Sequence, residues 1–117
     1  MMENVSETNF GGNEIILKNQ LVKSAILPQS SRELTRNITI QGETQIEGAV
    51  YAEKIDVTGG NVTFKGPVFG NSEVHLANDL KAPVVFQKAV ASADTIAALS
   101  VSQHMIFQSD INAKTVR

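Results

Sequence analysis

The sequence predicts an all-β domain in which short strands stack into a three-sided parallel β-helix, or β-solenoid, of about five windings. A pattern recurs that consists of a branched apolar residue, any residue, a tiny residue, a short polar step and a second branched apolar residue. It begins at Val50, Val68, Val90 and Ile111, with separations of 18, 22 and 21 residues. Repeats of this length indicate stacked supersecondary units rather than one globular core. An ordinary β-sandwich is the alternative fold.

Composition restricts the classes of protein to consider. The 117 residues, 42% hydrophobic and 19% charged, fit one folded domain. The net charge is −2 and the ten Lys and Arg residues are scattered, so no basic stripe for nucleic acid is present. The absence of cysteine excludes disulfides, thiolate zinc sites and cysteine nucleophiles.

Residues 1–13 are predicted to form a flexible N-terminal tail. No positive charge precedes Lys18, and no apolar stretch is long enough for a signal sequence or a membrane span, so we expect a cytoplasmic protein. Glu3 and Glu7 disfavour attachment to anionic lipid at the inner face of the membrane. Four apolar side chains would still permit a weak membrane contact: Met1, Met2, Val5 and Phe10.

Residues 14–36 are predicted to form an irregular first winding or a cap. The runs from Glu14 to Lys18 and from Leu21 to Leu27 each suit a strand, because as a helix their apolar residues would surround the whole circumference. Their expected positions place Ile16, Ile26 and Leu34 below Ile38, Ile46 and Val50, respectively.

Residues 37–117 are predicted to form the β-helix core. Short β-branched runs with period-two alternation end at Gly, Asn, Asp or Pro, as strands do. The apolar residues form three columns, one for each side of the coil. The first contains Val50, Val68, Val90 and Ile111; the second contains Ile38, Ile55, Val74, Ile96 and Val116; the third contains Ile46, Val62, Val85 and Ile106, beside Phe64 and Phe86. A fourth column of tiny residues marks a tight corner: Ala52, Gly70, Ser92 and Ala113.

One winding carries a family resemblance. The segment Ile46-Glu-Gly-Ala-Val-Tyr-Ala-Glu-Lys-Ile-Asp-Val57 follows the pattern Ile-x-Gly-x-Val-x-Ala-x-x-Ile-x-Val. Residues 37–117 thereby resemble the bactofilins, which are polymer-forming bacterial cytoskeletal proteins, although the later windings match less well. The resemblance implies a right-handed, three-sided β-helix that joins end to end into nucleotide-independent filaments. It also implies a scaffold for cell-wall or cell-shape client proteins. Family members carry disordered tails on both sides of the core and a membrane-touching N-terminal motif, and this sequence departs from both.

The last predicted winding is the candidate polymer interface. A solenoid ends in strands whose N–H and C=O groups are unpaired unless something covers them. The last predicted strand ends at Val116, immediately before Arg117, so we expect an open C-terminal end. Phe107, Ile111 and Val116 would then be buried between subunits, where aromatic and branched residues commonly dominate the interface energy.

No catalytic, metal or cofactor site is predicted, and we do not expect an enzyme. His75 and His104 lie far apart without metal-ligand spacing. Gly59-Gly60 lacks the lysine and the helix of a phosphate loop, which favours a corner turn. The variable repeat length argues against the hexapeptide β-helices of acyltransferases and zinc carbonic anhydrases. The alternative function is a structural or binding module of a fibre, such as a phage-like particle, that assembles as a side-by-side trimer.

Overall fold

In a computed structural model, which describes residues 3–5, 14–23, 25–26, 35–77, 80, 82–98 and 105–117, parallel strands stack into a solenoid. The predicted all-β fold class is confirmed, because every described element is a strand and every pairing between strands is parallel. The described strands are β1 (Glu3–Val5), β2 (Glu14–Lys18), β3 (Gln20–Val22), β4 (Thr35–Gln41), β5 (Thr44–Ile46), β6 (Val50–Val57), β7 (Val62–Phe64), β8 (Val68–Leu76), β9 (Val84–Phe86), β10 (Val90–Ser92), β11 (Thr95–Ala97), β12 (Met105–Phe107), β13 (Ile111–Asn112) and β14 (Thr115–Val116).

The coil has three faces. The first face is the sheet with the order β1-β3-β5-β7-β9-β12. The other sheet turns a corner inside its longest strands, where the register between β6 and β8 shifts between Ala52 and Lys54. Residues before this corner form the second face, which continues through β10 and β13. Residues after it form the third face, which also contains β2, β4, β11 and β14.

The register confirms two of the three predicted columns. Val50, Val68, Val90 and Ile111 lie opposite one another on the second face. Ile38, Ile55, Val74, Ile96 and Val116 lie opposite one another on the third face. Four turns separate Ile38 from Val116, and the solenoid has about four turns, slightly fewer than the five windings predicted. The winding that contains β2 and β3 is described only in part.

The third predicted column is wrong in phase. On the first face, one inward column contains Ile46, Phe64, Phe86 and Phe107, and the other contains Thr44, Val62, Val84 and Met105. Val85 lies opposite Thr63 and Ile106 in the row that faces outward. Ile106 is accordingly exposed, whereas Phe64 and Phe86 are buried in the core.

The predicted first winding is present, but its register was wrong, by one residue below Ile38 and by more below Ile46 and Val50. Ile15 and Leu17 lie below Ile38 and Ile40, while Ile16 points outward and is exposed. The residue below Ile46 is Val22. Ile26 lies below Val50, the place predicted for Leu34, which is outside the described residues.

The tiny column is confirmed where it can be followed through the pairings. Ala52 and Ser92 both lie opposite Gly70, at the corner between the second and third faces. A Cβ atom on Gly70 would come within 2.9 Å of Val74 Cγ2 and would also meet the Glu73 carbonyl oxygen. This corner therefore has room for only the smallest side chains.

A second corner, between the third and first faces, uses the left-handed backbone conformation. Asn19 and Gly42 have φ values of 53° and 65°, and Asn61 has a φ of 60°. Gly and Asn are the residues that adopt this conformation most readily. The Asn19 Oδ1 atom accepts a hydrogen bond from the Glu43 backbone N–H at 2.9 Å, which connects two successive windings.

Part of the N-terminal segment predicted as a tail belongs to the first face. Glu3–Val5 forms β1 and pairs in parallel with β3. Met1, Met2 and Phe10, which were expected to contact a membrane, lie outside the described residues, as does His104. Within the described part of the chain, no helix is long and apolar enough to cross a membrane.

Candidate assembly interface

Two of the apolar columns change from buried to exposed at the C-terminal end of the coil. On the third face, Ile96 is 0% exposed and Val116, one level further along, is 45% exposed. On the second face, Val90 is 1% exposed and Ile111 is 41% exposed. Because these residues continue columns that are buried in the preceding windings, they are oriented like the buried residues, and they are exposed at the end of the described coil.

Phe107 completes this end layer on the first face. Its ring stacks on Phe86 with 5.0 Å between centroids, and Phe86 stacks on Phe64 with 4.8 Å between centroids. Phe64 and Phe86 are fully buried, whereas Phe107 is only partly buried. A further aromatic ring packed against the face of Phe107 that points away from Phe86 would therefore continue the stack.

The structure therefore places the three predicted interface residues at one end of the molecule. The sequence analysis did not include Met105 and Ala113 among the candidate interface residues. Both are partly buried against the same end of the core. Met105 could have been found from period-two alternation, since it lies two residues before Phe107 on the same strand. We name the set Met105, Phe107, Ile111, Ala113 and Val116 the C-terminal layer.

The segments that carry the C-terminal layer are hydrogen-bonded to the preceding winding. The Gln108 N–H donates to the Phe86 carbonyl and the Arg117 N–H donates to the Ile96 carbonyl, each at 2.9 Å. Among the described residues, β12 and β13 are the last strands of their sheets, and β14 pairs only with β11. Each of these strands can still accept a neighbour on its other edge, and an exposed parallel edge is a template for pairing with another chain.

The N-terminal end of the coil is different. The inward side chains of its first winding, among them Ile15, Val22 and Ile26, are buried. In the described part of the chain, β1 and β2 nevertheless form the other outer edges of the two sheets. Among the described residues, both ends of the solenoid therefore offer strand edges, and the inward columns are more exposed at the C-terminal end.

Polar side chains on the third face form pairs between windings. Lys54 Nζ lies 3.5 Å from Glu73 Oε1, and His75 Nδ1 lies 2.7 Å from Asp56 Oδ1. All four groups are partly exposed, so these pairs contribute little to the free energy of unfolding, typically about 0–1 kcal/mol each. No group of three or more metal-ligating side chains is present among the described residues.

Comparison of the chain with family models, with curated proteins and with solved structures gave no match.

Proposed function

We propose that the protein is a self-assembling structural scaffold that polymerises end to end through the ends of its β-solenoid, without nucleotide. The observation that carries this proposal is the exposure of the C-terminal layer, whose columns are fully buried one winding earlier. Covering this layer with another subunit would bury apolar surface, which stabilises by roughly 25 cal/mol for each Å² removed from water.

Strand pairing supports the same proposal. A second subunit placed on β12, β13 and β14 could continue the hydrogen-bonded ladders across the junction at the usual strand spacing of about 4.8 Å. A contact between two C-terminal ends alone would produce closed dimers. Extension into a filament also requires the opposite edges, which begin with β1 and β2 on the first and third faces.

The bactofilin resemblance gives this scaffold a biological setting. It supports a cytoplasmic filament that recruits cell-wall or cell-shape client proteins and lacks enzymatic activity. A weak membrane contact through the N-terminal segment remains part of the proposal.

A pair of variants on β12 tests the proposal. Phe107 and Ile106 are adjacent, but Phe107 faces the solenoid end while Ile106, 45% exposed, faces outward. Phe107→Arg should abolish assembly because it places an unpaired charge in the junction. Ile106→Arg should leave assembly unchanged. Sedimentation velocity measures the size distribution, and circular dichroism checks that each variant keeps its β-sheet signal.

The same pair distinguishes the alternative function. The exposed outward residue Ile106 favours a fibre module in which solenoids associate side by side. In that arrangement Ile106→Arg would dissociate a discrete trimer, and Phe107→Arg would have the smaller effect. If Phe107→Arg loses its β-sheet signal, Phe107 belongs to the core and its assignment to the interface is wrong.

A further inference from the structure

The outer side of the second face carries an aromatic stack that is interrupted after two rungs. The rings of Tyr51 and Phe69 lie 4.7 Å apart with an angle of 20° between their planes. This separation matches the spacing of neighbouring strands, so the rings stack along the solenoid axis. Tyr51 covers one side of the Phe69 ring. The other side faces the next rung, where the residue opposite Phe69 is Ala91.

The rung of Ala91 forms the floor of a groove. Ala89, Ala91 and Ala93 alternate with the buried residues Val90 and Ser92, so all three alanines face outward. On the far side, Ala91 lies opposite Asn112. The rungs of Phe69 and Asn112 are two strand spacings apart, about 9.6 Å between backbones. A ring in van der Waals contact with Phe69 needs only about 3.5–4.0 Å of this width.

The two walls of the groove differ in chemistry. One wall is the uncovered side of the Phe69 ring. The other wall contains Asn112, which is exposed and follows Asp110 by two residues and precedes Lys114 by two. The Asp110 carbonyl accepts a hydrogen bond from the Val90 N–H at 2.9 Å, which fixes this rung directly above the alanines. Asn112 thus gives this wall an amide, Asp110 adds an exposed carboxylate to the same rung, and Lys114 lies beyond the Ala113 corner.

Side-chain hydrogen bonds link β6 and β8 just beyond Tyr51 and Phe69. The Asn71 Nδ2 atom donates to Glu53 Oε1 and Oε2 at 3.2 and 3.1 Å, and the Ser72 hydroxyl also donates to Glu53 Oε2. These bonds connect the strands that carry Tyr51 and Phe69 at the ends nearest the corner.

We propose that this groove binds one ring of a neutral saccharide. A pyranose with equatorial hydroxyls has apolar C–H faces and a polar rim, so it can stack on Phe69 while its hydroxyls bond to Asn112 and its neighbours. Asn112, directly across Ala91 from Phe69, is an uncharged amide that both donates and accepts hydrogen bonds, which suits an uncharged ligand. An apolar aromatic side chain would leave the polar wall without partners.

Saturation-transfer difference NMR with cellohexaose tests the proposal, because this probe is neutral, has flat apolar ring faces and gives signals even with large assemblies. The ring C–H protons should receive saturation from the full-length protein. Phe69→Ala should weaken binding about tenfold, the upper range of an aromatic contact. Ala91→Phe should abolish binding while retaining the fold, since a third ring would continue the existing stack and fill the groove.

Two controls make the result decisive. Thr63→Phe adds a ring to the outward row of the first face and should leave cellohexaose binding unchanged. N-acetyltryptophanamide is the competing probe. Binding of this indole without binding of cellohexaose would show a site for aromatic side chains and would overturn the proposal. Absence of cellohexaose binding, or binding that survives Ala91→Phe, would overturn it as well.

Discussion

At the scale of single residues, the stack of Phe64, Phe86 and Phe107 contains both a residue needed for stability and one proposed to act in assembly. Phe86 is fully buried between the other two rings, so Phe86→Ala should lower the free energy of unfolding by about 3–5 kcal/mol. Phe107→Ala should cost less in dilute, unassembled protein because its ring is only partly buried. Urea denaturation measures both variants. Equal losses would show that Phe107 is an ordinary core residue.

Whether the inward-facing residues of a strand could be predicted depended on the pattern of its side chains. The third-face column could be predicted because apolar and polar residues alternate clearly there, as in Ile38-Thr39-Ile40, and the second-face column because a tiny residue recurs two positions after each branched one, as in Val68-Phe69-Gly70. The phase failed at Val84-Val85-Phe86 and at Ile15-Ile16-Leu17, where three consecutive apolar residues leave either face possible. A shift of one residue moves every side chain to the opposite face of a strand. The aromatic stack of Tyr51 and Phe69 escaped prediction because Tyr51 and Phe69 were considered only as skipped positions between inward residues.

At the scale of elements, β6 and β8 act as single strands that each cover two faces. The bend occurs between Ala52 and Lys54 in β6 and just after Gly70 in β8. The sequence predicted the corner from the tiny residues, because inward side chains there have little space. It did not predict that hydrogen bonding would continue around the corner, since this depends on the register shift between two neighbouring windings.

Gly70→Ala tests this corner. The added Cβ would meet the Glu73 carbonyl oxygen and Val74, so we expect a loss of about 1–3 kcal/mol in the free energy of unfolding, as for other overpacked sites. Thermal or urea unfolding measures the loss. Ala52→Ser is the matched control, because Ser92 already occupies the same column. A neutral result for Gly70→Ala would mean that the corner has more room than the structure shows.

At the scale of the whole molecule, one geometry underlies both the stacked body and the proposed assembly. Each winding is stabilised by the windings on either side, and among the described residues the winding of β12, β13 and β14 has a neighbour on one side only. The C-terminal layer and the outer edges of β12, β13 and β14 are consequences of this arrangement. The same regular spacing also creates the groove above Ala91, because replacing one aromatic rung with alanine opens a space of defined width.

Fibre diffraction from oriented filaments of the full chain tests end-to-end polymerisation most directly. If subunits join through their solenoid ends, the strands lie perpendicular to the filament axis and the reflection at about 4.8 Å appears on the meridian. The Phe107→Arg variant should form no filaments under the same conditions. A 4.8 Å reflection on the equator, or a protein that forms only discrete trimers or monomers, would contradict end-to-end polymerisation.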